Sequence, residues 1–354
     1  MPRLQDLIRA QGPIPFAVFM EEALYGEGGY YSREDVPIGE EGDYVTGATL
    51  SPLFGRVTAR LLERLDGAIG KTAAEMFEAG YGTGVHLESV VSTLLEKTMG
   101  RRIRAWDRVA RPVPAGVERV PNLEAIQEGE IEGLIFSYEL FDALPVHRLV
   151  GRADGTVGEL WVDLDPKEDP SGAFVWREGE VSDPKLLDLL RNPDVPLQAG
   201  QVADLSPGWE PLYRSLARRL GRGLIVTCDY GFEREKLLDP RIRANGTLAC
   251  YTRQRVHRNP FVKVGEQDLT AHVDFTTLLQ AGEAEGLRTG ALTRQALWLT
   301  ACGLFEELQG ADATTRQGAM ALLDGEGMGE EIRVLVQAKG IETDGLFEPG
   351  VLGR

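Results

Sequence analysis

The run Phe-Glu-Ala-Gly-Tyr-Gly-Thr-Gly at residues 77–84 limits the folds open to this chain more than any other stretch. Upstream, residues 72–77 (TAAEMF) are apolar enough for a buried parallel strand, and downstream Val85, Leu87, Val90, Val91, Leu94 and Leu95 fall at helical spacing. The glycines therefore occupy a strand-to-helix junction. There glycine permits positive φ and close backbone approach, and the helix start offers N–H groups to a polar ligand. A dinucleotide fingerprint would place its third glycine one position later, where Val85 stands, so an NAD-dependent dehydrogenase is disfavoured.

At 354 residues the chain exceeds the roughly 150-residue prior for one domain, which predicts one large α/β domain with substantial additions. The expected division is an N-terminal helical extension and cover over residues 1–66, then a domain over residues 67–354 with insertions around 150–207 and 232–273. No apolar run approaches the roughly 20 residues that span a bilayer, so no membrane insertion is expected. A formal net charge of −17 opposes nucleic-acid binding and favours a cationic partner surface. The opening MPRLQDLIRAQ lacks the apolar segment of a signal peptide, which predicts a cytoplasmic location. Cys228, Cys250 and Cys302 are odd in number and far apart, so reduced, mostly buried thiols are expected rather than disulfides. His86, His147, His257 and His272 show no ligand spacing, and no metal site is expected.

Along the chain, residues 4–10 and 15–24 read as two short helices, and residues 25–49 as a polar, glycine- and aromatic-rich region suited to a cover over a bound cofactor. Residues 51–65 return to a helical pattern, with Ser51 as N-cap and Pro52 at the first helical position. Apolar strand candidates follow at 103–106, 133–137 and 223–228, and short β-like runs at 157–164 and 173–176 mark a strand-rich insertion. A helix is expected after Asp274, and residues 332–337 read as a strand that closes the sheet as its antiparallel edge. Strands alternating with helices imply a mainly parallel, doubly wound sheet.

The acidic residue Glu78 before Gly80, with Gly82 and Gly84 alternating after it, resembles the first motif of class I S-adenosylmethionine (SAM) methyltransferases. FAVFMEEALYGEGGYYS, GDYVTGATLSPLFGR, FEAGYGTG, YELFDALPVHRL and GEQDLTAHVDF occur in the order of the MidA family, across about residues 12–303. That family comprises bacterial proteins and mitochondrial complex I assembly methyltransferases. The resemblance implies a class I methyltransferase (Rossmann-like) fold and SAM held by Glu78, Gly80, Tyr81, Gly82, Thr83, Gly84 and Tyr138, with Asp107 on the ribose. It also implies methylation of arginine on a protein, a respiratory complex I subunit in the mitochondrial case, and admits a homodimer. Three positions depart from the family's usual pattern: Ala48-Thr49 stand in place of Pro-Glu, and Tyr138 in place of asparagine.

Methyl transfer from a sulfonium is an in-line displacement, so the protein supplies alignment, exclusion of water and removal of a proton. A guanidinium acceptor, with a pKa above about 12 and planar donors, suits paired carboxylates that orient it. Glu139, Asp142 and Asp268 are the candidates for that task, with His272 as proton acceptor. A small-molecule methyltransferase and a catalytically silent SAM-binding assembly factor are the alternatives.

Overall fold

The path of one eight-stranded sheet runs through seven strands: β1 (Glu75–Ala79), β2 (Ile103–Trp106), β3 (Glu118–Arg119), β4 (Ile131–Tyr138), β5 (Leu220–Phe232), β6 (Arg288–Arg294) and β7 (Ile332–Lys339). The structure, a computed structural model, describes residues 2–33, 47–71, 73–95, 100–165, 167, 172–190, 196–253, 255–324, 327–348 and 350–352. The chain forms two units of interleaved sequence, residues 1–44, 141–209 and 232–276 making unit 1 and residues 45–140, 210–231 and 277–354 making unit 2.

In unit 2 the strand order is β6-β7-β5-β4-β1-β2-β3. From β5 to β3 the pairs are parallel, whereas β7 is antiparallel to both β5 and β6. Parallel neighbours require crossover connections, and the helix α2 (Val85–Leu95) supplies one between β1 and β2. The helix α1 (Pro52–Ile69), placed by sequence in the N-terminal extension, packs into the same core through Leu61, Leu62 and Leu65, against Leu87 and Val90 of α2 and Met76, Leu134, Phe136 and Val226 of the sheet. Each such side chain contributes about 1.5–3 kcal/mol on full burial. Its start follows the sequence signals, with Ser51 Oγ accepting from Leu53 N–H at 3.3 Å and Pro52 opening the helix, whereas its end lies beyond the expected residue 65, at Ile69, where Gly70 closes it at φ 67°.

β7 is antiparallel, as expected, but it is not the edge. Seven of its eight residues are buried between two partners, and the edge is β6, whose sequence RTGALTR is mostly half-exposed and carries arginine at both ends. An edge strand needs one wet side, and a run as apolar as Ile332–Lys339 does not tolerate one. β1 begins at Glu75, three residues later than its apolar run suggests.

Unit 1 opens with the helices Pro2–Gln11 and Phe16–Tyr25. One antiparallel sheet runs Ile14–Pro15, Val157–Leu164, His147–Gly151, Val202–Leu205, with Phe174–Gly179 also on Val157–Leu164. A second holds Arg255–His257, Ala249–Thr252 and Asp268–Thr270. Buried Arg148 ties the first sheet together: its Nε donates to Asp204 Oδ1 at 2.8 Å, while Asp204 Oδ2 accepts the N–H groups of Thr247 and Leu248. Cys228, Cys250 and Cys302 are buried free thiols. No helix among the described residues is long and apolar enough to cross a membrane.

Candidate active site

β1 pairs with β2 on one side and β4 on the other, so the chain order reverses between β1 and β4. In open α/β sheets the ligand crevice lies outside the carboxyl ends of the strands at this switch point. Two segments of unit 2 leave the sheet there: Gly80 to Gly84 after β1, and Glu139 after Tyr138, the last residue of β4. Gly80, Gly82 and Gly84 have φ of 77°, 54° and 80°, a region other residues rarely enter. A Cβ on Gly80 would stand 2.8 Å from Leu140 Cδ1, and one on Gly84 3.2 Å from Pro114, whereas one on Gly82 would meet nothing within 4 Å. Gly82 thus opens the face of the turn. The turn is held from β2: Gly80 N–H donates to Trp106 O at 2.7 Å and Gly82 N–H to Asp107 Oδ2 at 2.9 Å.

Asp107 faces this loop. Its Oδ1 also accepts Val109 N–H at 2.9 Å, and burial pushes its carboxyl above the ordinary aspartate range, partly offset by these two N–H donors. Thr83 is exposed on the turn. The other expected cofactor side chains point their polar atoms into unit 2. Tyr81 donates its hydroxyl to Arg111 O and accepts Arg111 N–H at 3.0 Å. Tyr138 donates to Gln295 Oε1 at 2.6 Å, and burial pushes its phenol well above the usual range. A Cβ on Gly47 would come within 2.1 Å of the Tyr138 hydroxyl oxygen, so the departure at 138 is accommodated only by the glycine beside it. Glu78 is 3% exposed, and its Oε2 meets His86 Nδ1 at 2.8 Å.

Glu139 has φ 47°, a left-handed conformation that costs a non-glycine residue about 1–3 kcal/mol and clusters at functional sites. Its N–H donates to Cys228 O at 2.9 Å, and Tyr138 and Cys228 are register partners on parallel strands. Asp229, one residue past Cys228 and fully buried, therefore stands on β5 next to Glu139. Sequence reasoning missed Asp229 as a site residue; an apolar run ending in Asp-Tyr-Gly was the available signal. His86 and Thr58 were missed too, because pattern arguments treat helix residues beside leucines as packing.

The remaining candidates lie in unit 1, apart from Glu139 in unit 2. Ala271 N–H donates to Asp142 O at 3.0 Å, which brings the segments of Asp142 and His272 together. Asp268 is 2% exposed and its Oδ1 accepts the Tyr31 hydroxyl at 2.8 Å. Tyr31 stacks on Tyr25 at 5.4 Å, and Tyr25 donates to Ala143 O at 3.1 Å, so the tyrosines of the expected cover are anchored within unit 1. Residues 34–46 of that cover lie outside the described residues.

Desolvation, with Arg243 nearby, lowers His272 to about 4, so its ring is neutral at physiological pH. Because the unfolded chain binds that proton first, the contribution to stability is complete above about pH 6.5 and declines as pH falls toward 4. Urea unfolding at a series of pH values is expected to show this loss, with a flatter slope for His272→Gln.

Comparison with known proteins places this geometry. The model of a family of S-adenosyl-L-methionine-dependent methyltransferases, Methyltransf_28, matches residues 70–293, well over half of the chain. The chain belongs to this family. This SAM-dependent methyltransferase is similar over nearly its whole length to a COG1565 superfamily member from Burkholderia thailandensis whose crystal structure holds S-adenosyl-homocysteine. The TM-score is 0.84 at 27% identity, covering 96% of this chain and 92% of that one. A native crystal structure of a Burkholderia thailandensis COG1565 protein gives 0.83 at 28% identity, covering 99% and 94%. Among curated proteins, the Drosophila melanogaster "Protein arginine methyltransferase NDUFAF7 homolog, mitochondrial" is 26% identical over 324 residues, 80% of this chain and 70% of its own length. The Homo sapiens "Protein arginine methyltransferase NDUFAF7, mitochondrial" is 25% identical, over 87% of this chain and 75% of its own. The fold is that of a class I methyltransferase, and the cofactor is SAM.

Proposed function

We propose that this methyltransferase transfers the methyl group of SAM to the guanidinium of an arginine on a protein. The observation that carries this reading is Glu139: a carboxylate in a strained left-handed conformation at the strand end of the switch point, beside Asp229 of the neighbouring strand β5. The names of the curated relatives support the acceptor class. SAM supplies an electrophilic methyl on a sulfonium; the chain's own residues hold, orient and deprotonate. Gly80, Gly82 and Gly84 give the cofactor an approach free of side chains, and Asp107, braced by two N–H groups, keeps lone pairs for the ribose hydroxyls. Glu139 orients the guanidinium and concentrates its charge away from the attacking nitrogen. Within unit 1, Asp142 and Asp268 serve as acidic groups for the cationic acceptor protein, and His272 is neutral at physiological pH and so able to accept a proton.

Asp107→Ala is expected to weaken SAM binding by about 1–3 kcal/mol, the cost of a lost hydrogen bond to a charged group. Because the carboxyl of Asp107 lies above the ordinary range, SAM affinity is expected to fall on acidification while still above about pH 4, and this decline disappears in the variant. Titration calorimetry at several pH values measures both.

The proposal covers partner and place as well: a respiratory complex I subunit as acceptor protein, a cytoplasmic location and a homodimer. Affinity capture, cell fractionation and sedimentation test these in turn. The deciding experiment for the acceptor is labelled-methyl transfer in cell extract, read by mass spectrometry. Label on protein arginine supports the proposal. Label on a small molecule alone rejects it, and no transfer despite tight SAM binding points to a silent assembly factor.

A further inference from the structure

Three buried polar groups flank the glycine turn without belonging to its outer face. Glu78, in β1, lies two residues before Gly80, and His86, in α2, two residues after Gly84; both are 3% exposed. Thr58, from the middle of α1, is fully buried. Glu78 Oε2 meets His86 Nδ1 at 2.8 Å, and His86 Nε2 meets Thr58 Oγ1 at 3.1 Å. The imidazole is wedged between Phe136 of β4, with centroids 4.8 Å apart, and the edge of Phe54, at 5.6 Å. One ring thus ties the strand entering the turn to the helix leaving it, and both to α1.

Thr58 completes the connection on the far side of the ring. With Nδ1–H donating to Glu78, Nε2 accepts the Thr58 hydroxyl proton. Both bonds lie inside an apolar surround, where hydrogen bonds are strong.

The turn needs such a fastening. Three glycines at positive φ make it the segment with the most backbone freedom to lose on folding, and its amide groups serve the cofactor only if they are already oriented. We propose that Glu78, His86 and Thr58 form a clasp that fixes the glycine turn for SAM, with His86 as a positioning residue that does not touch the cofactor. Without His86, the buried carboxylate of Glu78 loses this donor two residues before the turn, and a buried polar group left without a partner is costly.

The test is SAM affinity by calorimetry alongside the KM for SAM, the KM for acceptor and the melting temperature. His86→Leu is expected to raise the Kd and KM for SAM by about 10- to 100-fold, the range for losing an orienting outer partner, while the acceptor KM changes less than two-fold. His86→Gln is expected to stay within about three-fold of wild type, because its amide N–H can donate to Glu78 while its carbonyl accepts from Thr58. If the leucine variant does not fold, Thr58→Val, which removes only the far support, is expected to raise the Kd by about three-fold or more. Folded His86→Leu or Thr58→Val with wild-type SAM affinity overturns the clasp. So does a glutamine variant as impaired as the leucine variant, since that would make ring shape, not hydrogen bonding, the relevant property.

Discussion

Gly82→Val is expected to abolish binding of SAM and S-adenosylhomocysteine, with no heat of binding in a titration that readily detects the wild type, while the far-UV circular dichroism stays native. At φ 54° a β-branched residue is strained by about 1–3 kcal/mol, which lowers stability without removing the fold. The valine meets no protein atom, because a Cβ at this position has nothing within 4 Å. It stands instead over the open face of the turn, where the cofactor is proposed to lie. Gly82→Ala separates the two causes: it shares most of the backbone strain but obstructs less, so its affinity should fall between wild type and valine. Unchanged titration of the valine variant would remove the glycine turn from the SAM site.

Glu139→Gln is expected to lower turnover by roughly 10²-fold or more while SAM affinity stays within a few-fold, the lower range for loss of an acid–base or orienting group. The amide is isosteric and leaves the left-handed backbone at φ 47° as it was, so stability should change little beyond the lost charge. The same N–H still reaches Cys228 O. What is lost is a negative charge beside Asp229 of β5, and with it the means to hold a guanidinium in one orientation. Single-turnover methyl transfer with saturating SAM reads this step. A variant with wild-type turnover would assign Glu139 a structural part, its strain then belonging to the departure of the chain from β4.

The central features of the cofactor domain were legible in the sequence because they are local. A glycine turn between an apolar strand and an amphipathic helix specifies its own backbone, and Ser51 and Pro52 mark the start of α1 by hydrogen-bonding rules that act within one turn. Asp107, which the resemblance assigned to the ribose, was named by its place after a strand, whereas its contact with the turn, 2.9 Å from carboxylate to the Gly82 amide, came only with the fold. Relations between distant segments were not legible. That β7 lies inside the sheet and β6 at its edge depends on strand pairing, which composition constrains only loosely. Glu78, Tyr81 and Tyr138 were motif residues in the sequence, yet their polar atoms turn inward to His86, Arg111 and Gln295, since a buried polar group takes whatever partner folding brings within 3 Å. Asp229 became visible as a neighbour of Glu139 only when the parallel register of β4 and β5 put Cys228 opposite Tyr138. Sequence alone determined the turn, its caps and the family; tertiary structure decided which side chains face the ligand and which hold the turn in place, because that choice is made by contacts between residues far apart in the chain.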